Sequence, residues 1–383
     1  MASREVPDKS LKLRTPLIAY LNLVNRCNLA CRYCYYSQGP GKTAYELDTG
    51  QWLAILDKLA GLKVAKLILT GGEPLLHEGF AEILRRVGDG RWRFVLTTNG
   101  VLLTEEIVAA LAVSGRCEQV HLSLDGPEAC NDAMRGIGAY QQTVRALALL
   151  RRHRIPCAVR CTVGPHNCSC LAETMEHLLE FIPAASLEFS LLGTVPGARD
   201  TLRRLQLTPA QQVAALREID AAARRYRVRF GGNCGEILRS WRRIYGDWKC
   251  RSADSGRGAG GSLGSCQAYF TRMVIRADGK IAPCTALMHL VTGDALRDDI
   301  AVLWRHSPVW RQLRERSSVE LRRFRPCRDC PFLAFCSGSC TADPADFDRP
   351  PNTYCLRNYL PYLPDIEQLL ELPADRTQAG EMP

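Results

Sequence analysis

The N-terminal half of the chain alternates between short apolar runs and amphipathic segments. The segments between the runs have helical spacing, with a helix start predicted after Thr104 and at the pair Thr208-Pro209. This alternation implies a parallel sheet covered by helices. Six units are fewer than the eight of a closed TIM barrel, so we expect an α/β fold with a partial, open (β/α)6 TIM-like barrel. The predicted strands are Leu17–Val24, Ala65–Thr70, Arg93–Thr98, Gln119–Asp125, Cys157–Val163 and Ser186–Leu192.

Polar, glycine and cysteine residues follow or close these strands, at the end where parallel barrels place their chemistry. The first strand is followed by cysteines with the spacing C-x3-C-x2-C, and the second by a Gly-Gly-Glu-Pro turn. Because the strand ends meet on one rim, we expect these residues to form one site. In chain order they are Cys27, Cys31, Cys34, Gly71, Gly72, Glu73, Pro74, Ser123, Asp125 and Arg160.

The cysteine triplet favours an iron–sulfur cluster. Three thiolates can hold a [4Fe–4S] cluster and leave one iron without a protein ligand, open to a substrate or cofactor. The alternatives are a zinc site and a chance grouping among the 18 cysteines of the chain. A structural zinc site needs four ligands, and none of the usual partners lies nearby in the sequence.

With Tyr33 at its aromatic position, the triplet resembles the C-x3-C-x-aromatic-C signature of the radical S-adenosylmethionine (radical SAM) superfamily. The resemblance implies a partial barrel in which Cys27, Cys31 and Cys34 hold the cluster. It implies that SAM binds the open iron and is cleaved reductively to a 5′-deoxyadenosyl radical, which abstracts hydrogen from the substrate.

The resemblance also implies the contacts to SAM. Glu73 is expected to bind its amino group, and Gly71 and Gly72 to let the backbone approach it. The alternative to a SAM-binding motif is an ordinary Gly-Gly turn, and the alternative for Arg160 is an ion pair with a neighbouring carboxylate. We assign Asn99 a structural role. The expected cofactor-binding residues are Tyr33, Gly71, Gly72, Glu73, Pro74, Ser123, Asp125 and Arg160.

The C-terminal cysteines match the seven-cysteine SPASM pattern without gaps, beginning with a hairpin around Asp278-Gly279. This resemblance implies two auxiliary [4Fe–4S] clusters, hence three in all. The nearer would use Cys266, Cys284 and Cys340, with Cys250 as candidate fourth ligand and Cys234 as the weaker one. The farther would use Cys327, Cys330, Cys336 and Cys355. A zinc ribbon of Cys327, Cys330, Cys336 and Cys340 is the alternative.

The remaining cysteines we interpret as small buried residues. Cys168-x-Cys170 is the exception, because it follows the fifth strand near the rim.

SPASM enzymes mostly modify peptides or proteins, so we expect oxidative modification of a ribosomally synthesised peptide, by cross-linking. Thr285 opposes formylglycine formation, because sulfatase-maturing members typically have Asp after the cysteine equivalent to Cys284. Maturation of a small molecule such as a tetrapyrrole is the alternative, and a non-enzymatic zinc-binding module the distant one. About 16 residues precede the first strand, too few for a fused leader-recognition domain, so we expect the substrate to be held either by the barrel rim and the SPASM surface or by a separate leader-recognition protein. We also expect a flavodoxin- or ferredoxin-like electron donor.

Length and charge set the remaining expectations. The polar N-terminus and the lack of a long apolar window predict a cytoplasmic protein without a membrane span. The formal charge of +10 is spread along the chain, which opposes a nucleic-acid function. We expect an N-terminal extension (1–14), the barrel (15–232), a bridging segment (233–265), the SPASM domain (266–360) and a C-terminal helix and tail (361–383).

Overall fold

The N-terminal half folds into a parallel sheet whose strands follow one another in chain order. The computed structural model describes residues 13–34, 45–182, 186–193, 204–250, 261–264, 266–338 and 354–371. Each of the six predicted strands forms, and neighbours pair in parallel, so this part of the prediction is confirmed. They are β1 (Ile18–Asn22), β2 (Lys66–Thr70), β3 (Arg93–Thr98), β4 (Cys117–Ser123), β5 (Cys157–Val163) and β6 (Leu187–Leu191).

Helices cover the outer face of this sheet, and their starts are encoded locally. The Thr104 side chain accepts a hydrogen bond from the backbone of Ile107, and Thr208 caps its helix together with Pro209, as the sequence predicts. The helices are α1 (Thr49–Gly61), α2 (Phe80–Asp89), α3 (Glu105–Ser114), α4 (Glu128–Arg135), α5 (Ala139–Arg152), α6 (Leu171–Leu179) and α7 (Pro209–Arg225).

The two faces of the sheet differ because side chains alternate along each strand. Leu21 of β1 and Leu67 and Leu69 of β2 are fully buried in the main core, on the face towards the helices. Residues in between, such as Tyr20, lie on the opposite face. That face lines the inside of the curved sheet, which we call the lumen.

The C-terminal half adds strands to the same sheet. Strand β7 (Phe230–Gly231) pairs with β6, and α8 (Gly232–Lys249) follows it. After the short α9 (Ala268–Thr271), β8 (Arg272–Ile275) pairs in parallel with β1. The predicted hairpin is therefore present, but its first strand begins at Arg272 and the hairpin extends the barrel sheet across the predicted domain boundary at residue 266. Strand β9 (Lys280–Ala282) and strand β10 (Gly293–Asp294) complete the order β10-β9-β8-β1-β2-β3-β4-β5-β6-β7.

The remaining helices are α10 (Ile300–His306), α11 (Pro308–Arg314) and α12 (Leu363–Glu371). A C-terminal helix is thus present where the sequence predicts one. It packs against α8, where Arg242 Nε donates to the Leu369 carbonyl at 2.9 Å and the Tyr245 hydroxyl donates to Glu367 at 2.6 Å. Each helix that the structure describes is too short or too polar to cross a lipid bilayer.

Candidate functional site

The cysteine triplet lies on the loop that follows β1. The loop is fixed at its end by a hydrogen bond from the backbone of Arg32 to the Met134 carbonyl, 2.9 Å, and by a turn between Cys31 and Cys34, 3.0 Å. Burial raises the pKa of Cys31 and the charge of Arg135 opposes this; with the smaller effects of Cys34 and Cys27, which also raise it, the pKa is about 11. The three thiols are thus close enough to affect one another, and a bound metal would offset this repulsion.

Cys27, Cys31 and Cys34, which the structure describes, do not form a site for a single metal ion. Within the described residues, no three His, Cys, Asp or Glu side chains converge on one point as the ligands of a single ion do. A cubane does not require such convergence, because each thiolate binds a different iron.

The Gly-Gly-Glu-Pro turn is joined to the residues that lead into the triplet. The backbone of Gly72 donates to the Val24 carbonyl at 2.8 Å, and that of Glu73 to the Arg26 carbonyl at 3.0 Å. The φ of Gly71 is +140°, and a Cβ on Gly72 would lie 2.1 Å from the Arg26 oxygen. Both positions therefore need glycine, and they bring Glu73 beside Cys27, as the sequence predicts.

Glu73 is a fully buried carboxylate at the end of β2. It accepts hydrogen bonds from the Thr98 hydroxyl at 2.6 Å and from the Asn99 and Leu75 backbones at 2.8 and 3.2 Å. Pro74 starts the short 3₁₀ helix that follows. Burial raises the pKa of Glu73 to about 7, although these hydrogen bonds lower it. No ion pair described in the structure involves Glu73, so the site fits a ligand that brings an amino group.

Asn99 lies at the triplet, although its sequence context predicts only a structural role. Its Nδ2 is 3.7 Å from Cys27 Sγ and 2.8 Å from Asn28 Oδ1, while its backbone donates to Glu73. The signal was available, because Asn99 follows β3 on the same rim. Asn99 therefore links the glutamate to the first cysteine.

Asp125 anchors the aromatic residue of the triplet motif instead of pointing outward. Its side chain is fully buried and accepts from Arg135 at 2.9 and 3.0 Å, from the Thr162 backbone at 2.8 Å, and from the Tyr33 hydroxyl. Burial alone would raise the pKa of Asp125, but the charge of Arg135, together with the hydrogen bonds from His166 and Arg135, outweighs burial and holds the pKa at about 2. Both oxygens are thus occupied, which differs from the expected direct contact with SAM. Asp125 positions Tyr33 and Arg135.

Two further residues of this network carry no sequence motif. The ring of His166 stacks on Tyr33 with centroids 5.9 Å apart, and its Nε2 lies 3.7 Å from Asp125 Oδ2. Asn167 is fully buried and donates to the Asp125 carbonyl at 2.9 Å and the Thr162 carbonyl at 3.1 Å. Together they hold the loop after β5 against the end of β4.

Ser123 and Arg160 lie side by side on neighbouring strands and face the lumen. Arg160 is half-exposed and pairs with Glu188 at 2.5 Å, which is the alternative pairing with a neighbouring carboxylate. His121 lies on the same face, and its Nδ1 is buried without a hydrogen-bond partner among the described residues. Burial, followed by the charge of Arg160, lowers the pKa of His121 to about 4. The lumen therefore has a neutral imidazole next to an ion pair.

Four C-terminal cysteines line one cavity next to Trp241 of α8. Burial, together with the smaller effect of the other three thiols, raises the pKa of Cys355 to about 12, although Cys355 is distant from them in sequence. Burial likewise raises the pKa of Cys327 to about 11. The cavity lined by thiols fits the ligand set expected for the farther cluster: Cys327, Cys330, Cys336 and Cys355.

The nearer auxiliary cluster is less completely described. Cys266 precedes α9 and Cys284 follows β9, so both flank the hairpin, and both are partly buried. Cys250 is exposed at the C-terminal end of α8. Cys340 lies outside the described residues. The ligand set of this cluster therefore remains a prediction, including its fourth ligand.

Two family models match the chain. The model of the radical SAM superfamily matches residues 21–178, and the SPASM model, an iron–sulfur cluster-binding domain, matches residues 266–331. The mycofactocin maturase MftC of Mycobacterium ulcerans (strain Agy99) is 30% identical over 359 residues, which are 91% of this chain and 89% of the maturase. The AdoMet-dependent heme synthase of Methanosarcina barkeri (strain Fusaro / DSM 804) is 28% identical over 329 residues, 84% and 90% of the two chains.

Among solved structures, Streptococcus suis SuiB bound to its precursor peptide SuiA is similar. The TM-score is 0.68 at 18% sequence identity, covering 90% of this chain and 76% of SuiB. This likeness shows a shared fold.

Proposed function

The chain belongs to the radical SAM superfamily and carries a SPASM iron–sulfur domain, and from this we propose that it oxidatively modifies a ribosomally synthesised peptide, by cross-linking. It is a radical SAM enzyme whose cofactors are [4Fe–4S] clusters and SAM. The relative named a maturase and the fold neighbour solved with a precursor peptide support the choice of a peptide. The proposal rests above all on the hydrogen-bonded junction between the Gly-Gly-Glu-Pro turn and the residues before Cys27.

The residues of this junction have distinct roles in the proposal. When bound, the first cluster and SAM supply a 5′-deoxyadenosyl radical that removes a hydrogen atom from the substrate. Cys27, Cys31 and Cys34 hold the cluster. Glu73 accepts the N–H of the SAM amino group, and its burial keeps water from competing for that contact. Tyr33, fixed by Asp125, forms the adjoining wall.

The lumen supplies the other contacts. Ser123 and Arg160 are neighbours on the lumen face and would hold the carboxylate or ribose of SAM. His121 would donate a hydrogen bond to the substrate or accept one from it, because its buried Nδ1 has no partner among the described residues.

The auxiliary clusters would give electrons a route away from the substrate, which an oxidised product needs. Cys327, Cys330, Cys336 and Cys355 would hold the farther cluster, in the cavity that they line. Cys266, Cys284 and Cys340, with Cys250, would hold the nearer one. A flavodoxin- or ferredoxin-like protein would deliver the first electron, and a separate protein would present the leader of the peptide.

The test begins with protein purified without oxygen. We expect about twelve irons per chain for three four-iron clusters, and cleavage of SAM with dithionite that disappears when Cys27, Cys31 and Cys34 become Ala. A peptide encoded beside the gene should lose two hydrogens when it is co-expressed. A colourless protein that binds zinc and leaves SAM intact would overturn the proposal.

A tetrapyrrole substrate is the second candidate, favoured by the similarity to the Methanosarcina heme synthase. Incubating the reduced enzyme and SAM with an iron tetrapyrrole would shift the absorption spectrum of the tetrapyrrole if it is the substrate. An unchanged spectrum, together with a modified peptide, would support the first candidate.

A further inference from the structure

Two cysteines outside every predicted ligand set are in contact. The sulfurs of Cys130 on α4 and Cys170 at the start of α6 lie 3.6 Å apart. Both residues are partly exposed, so a small reagent can reach the pair. They are 40 residues apart in sequence, and only the packing of α4 against the loop after β5 brings them together.

The two thiols are not equivalent. Cys170 is the N-cap residue of α6, where the positive end of the helix dipole favours a negative group. Burial, followed by its hydrogen bond to Cys170, raises the pKa of Cys130 to about 11. The N-cap position therefore makes Cys170 the sulfur that attacks first, while the raised pKa of Cys130 makes it the sulfur that acts second.

Both cysteines belong to segments that hold the Asp125 network. Cys130 is on the same helix as Arg135, which forms the ion pair with Asp125. The backbone of Cys170 donates to the Asn167 carbonyl at 3.1 Å, and the Asn167 side chain donates to the Asp125 carbonyl. A bond between the two sulfurs would join these segments covalently.

We propose that Cys130 and Cys170 form a redox-active dithiol that glutathione disulfide, or a similar small disulfide, converts reversibly to an intramolecular disulfide. The Cys170 thiolate attacks one sulfur of glutathione disulfide, forming a mixed disulfide and releasing one glutathione thiolate. Cys130 then loses its proton to that thiolate, and its sulfur displaces the second glutathione. Two protein thiols are oxidised, and one glutathione disulfide is reduced to two glutathione molecules.

Closing the bond has a consequence for the site. The sulfurs must approach from 3.6 Å to about 2.05 Å, which draws α4 towards the start of α6. Because α4 also carries Arg135, the disulfide would change how Arg135 holds Asp125 and the ring of Tyr33. The oxidised form should therefore bind SAM with an altered affinity.

The experiment treats the anaerobic holoenzyme with glutathione disulfide, blocks the remaining thiols and digests the chain with trypsin. Cleavage after Arg116, Arg135, Arg160 and Arg199 gives peptides 117–135 and 161–199, which contain Cys130 and Cys170. We expect these peptides to be linked, with a mass two hydrogens below their sum, and dithiothreitol to separate them. Unlinked peptides would overturn the proposal.

Variants identify the sulfurs. Cys170→Ser and Cys130→Ser should each abolish the link, whereas Cys168→Ser and Cys117→Ser, in the same two peptides, should leave it intact. Fragmentation of the wild-type linked peptide locates the bond independently of how any variant folds. A bond that maps to Cys117, Cys161 or Cys168 would contradict the proposal. An unchanged iron content would show that the cluster thiols were not the ones oxidised.

Discussion

At the scale of single residues, the burial of Glu73 makes a prediction about pH. Its pKa is raised to about 7 by burial, so the ionised form that accepts an amino N–H is fully present only above that pH. We expect the affinity for SAM to rise as the pH increases from 6 to 8. Glu73→Gln should weaken binding about 10- to 100-fold, the loss of one hydrogen bond to a charged group, and should flatten this rise. Equilibrium dialysis with SAM at three pH values measures both effects.

The matched control is Glu82→Gln, an exposed glutamate in the first turn of α2. It should leave both the affinity and its pH dependence unchanged. Equal pH profiles for wild type and Glu73→Gln would show that Glu73 does not contact SAM.

The ion pair of Asp125 and Arg135 makes a second prediction, about stability. Asp125→Asn leaves a buried guanidinium without its countercharge, which typically costs about 3–5 kcal/mol. Anaerobic urea unfolding followed by tryptophan fluorescence should show a clearly lower midpoint. The control, Asp89→Asn, removes an exposed partner of Arg85 and should cost less than about 1 kcal/mol. Equal midpoints for the two variants would contradict the importance of the buried pair.

Motif residues of the site were predictable from sequence, and the residues that support them were not. Cys27 and Glu73 each belong to a short motif of consecutive or nearly consecutive residues, which can be recognised without knowing the fold. Arg135, His166 and Asn167 act through contacts with Asp125, which for Arg135 and Asn167 lies 10 and 42 positions away, and nothing in their local sequence marks them. The hydrogen bonds of Asp125 to Arg135 and Tyr33 were not predictable for the same reason, and its contact with SAM stays a prediction.

At the scale of secondary-structure elements, the turn after β2 depends on the absence of a side chain. Gly72→Ala would place a Cβ 2.1 Å from the Arg26 carbonyl, so the turn or the triplet loop must move. We expect SAM cleavage to fall at least about 10- to 100-fold, since such clashes with rigid neighbours cost about 1–3 kcal/mol. Iron should fall by about four atoms per chain if the first cluster is lost. Iron analysis and the dithionite assay measure these changes.

Gly61→Ala is the control, because a Cβ at this last residue of α1 meets nothing within 4 Å. It should leave iron and SAM cleavage unchanged. Normal cleavage in Gly72→Ala would indicate that the junction between turn and loop is dispensable.

The barrel strands were predictable because apolar residues recur along one face of each strand, as in the alternating sequences of β4 and β6, and that face is buried whatever its partners are. The sequence predicted the C-terminal hairpin, but it did not predict that the first strand of the hairpin pairs with β1. Ile18 pairs with Arg272 across more than 250 residues, and strands of two to four residues carry too little pattern to specify an edge. Sequence therefore predicted the elements better than their order in the sheet.

At the scale of the whole molecule, one sheet connects the triplet site to the cysteine-rich half. β1 precedes the triplet loop and also pairs with β8, so both halves share a strand. The other end of the sheet is connected as well, because α8 follows β7 and its Trp241 lines the cavity of four thiols. Because backbone pairing within this sheet joins the two halves, we expect the loss of one cluster to leave the rest of the fold in place.

A variant of Cys355 tests whether the farther cluster is needed for oxidation of the peptide but not for SAM cleavage. The backbone neighbour of Cys355, Tyr354, accepts from the Trp241 indole at 2.9 Å, which holds the segment in place without the thiol. We expect Cys355→Ala to lower the iron content by about four atoms per chain, to leave dithionite-driven SAM cleavage within about twofold of wild type, and to abolish the two-hydrogen mass loss of the peptide.

The control, Cys168→Ser, changes a partly exposed cysteine of no predicted ligand set and should preserve all three readouts. If Cys355→Ala stopped SAM cleavage as well, the farther cluster would be needed to build the first site. Its role would then be structural, because a cluster that only removes electrons from the substrate is not required for the cleavage that precedes hydrogen abstraction.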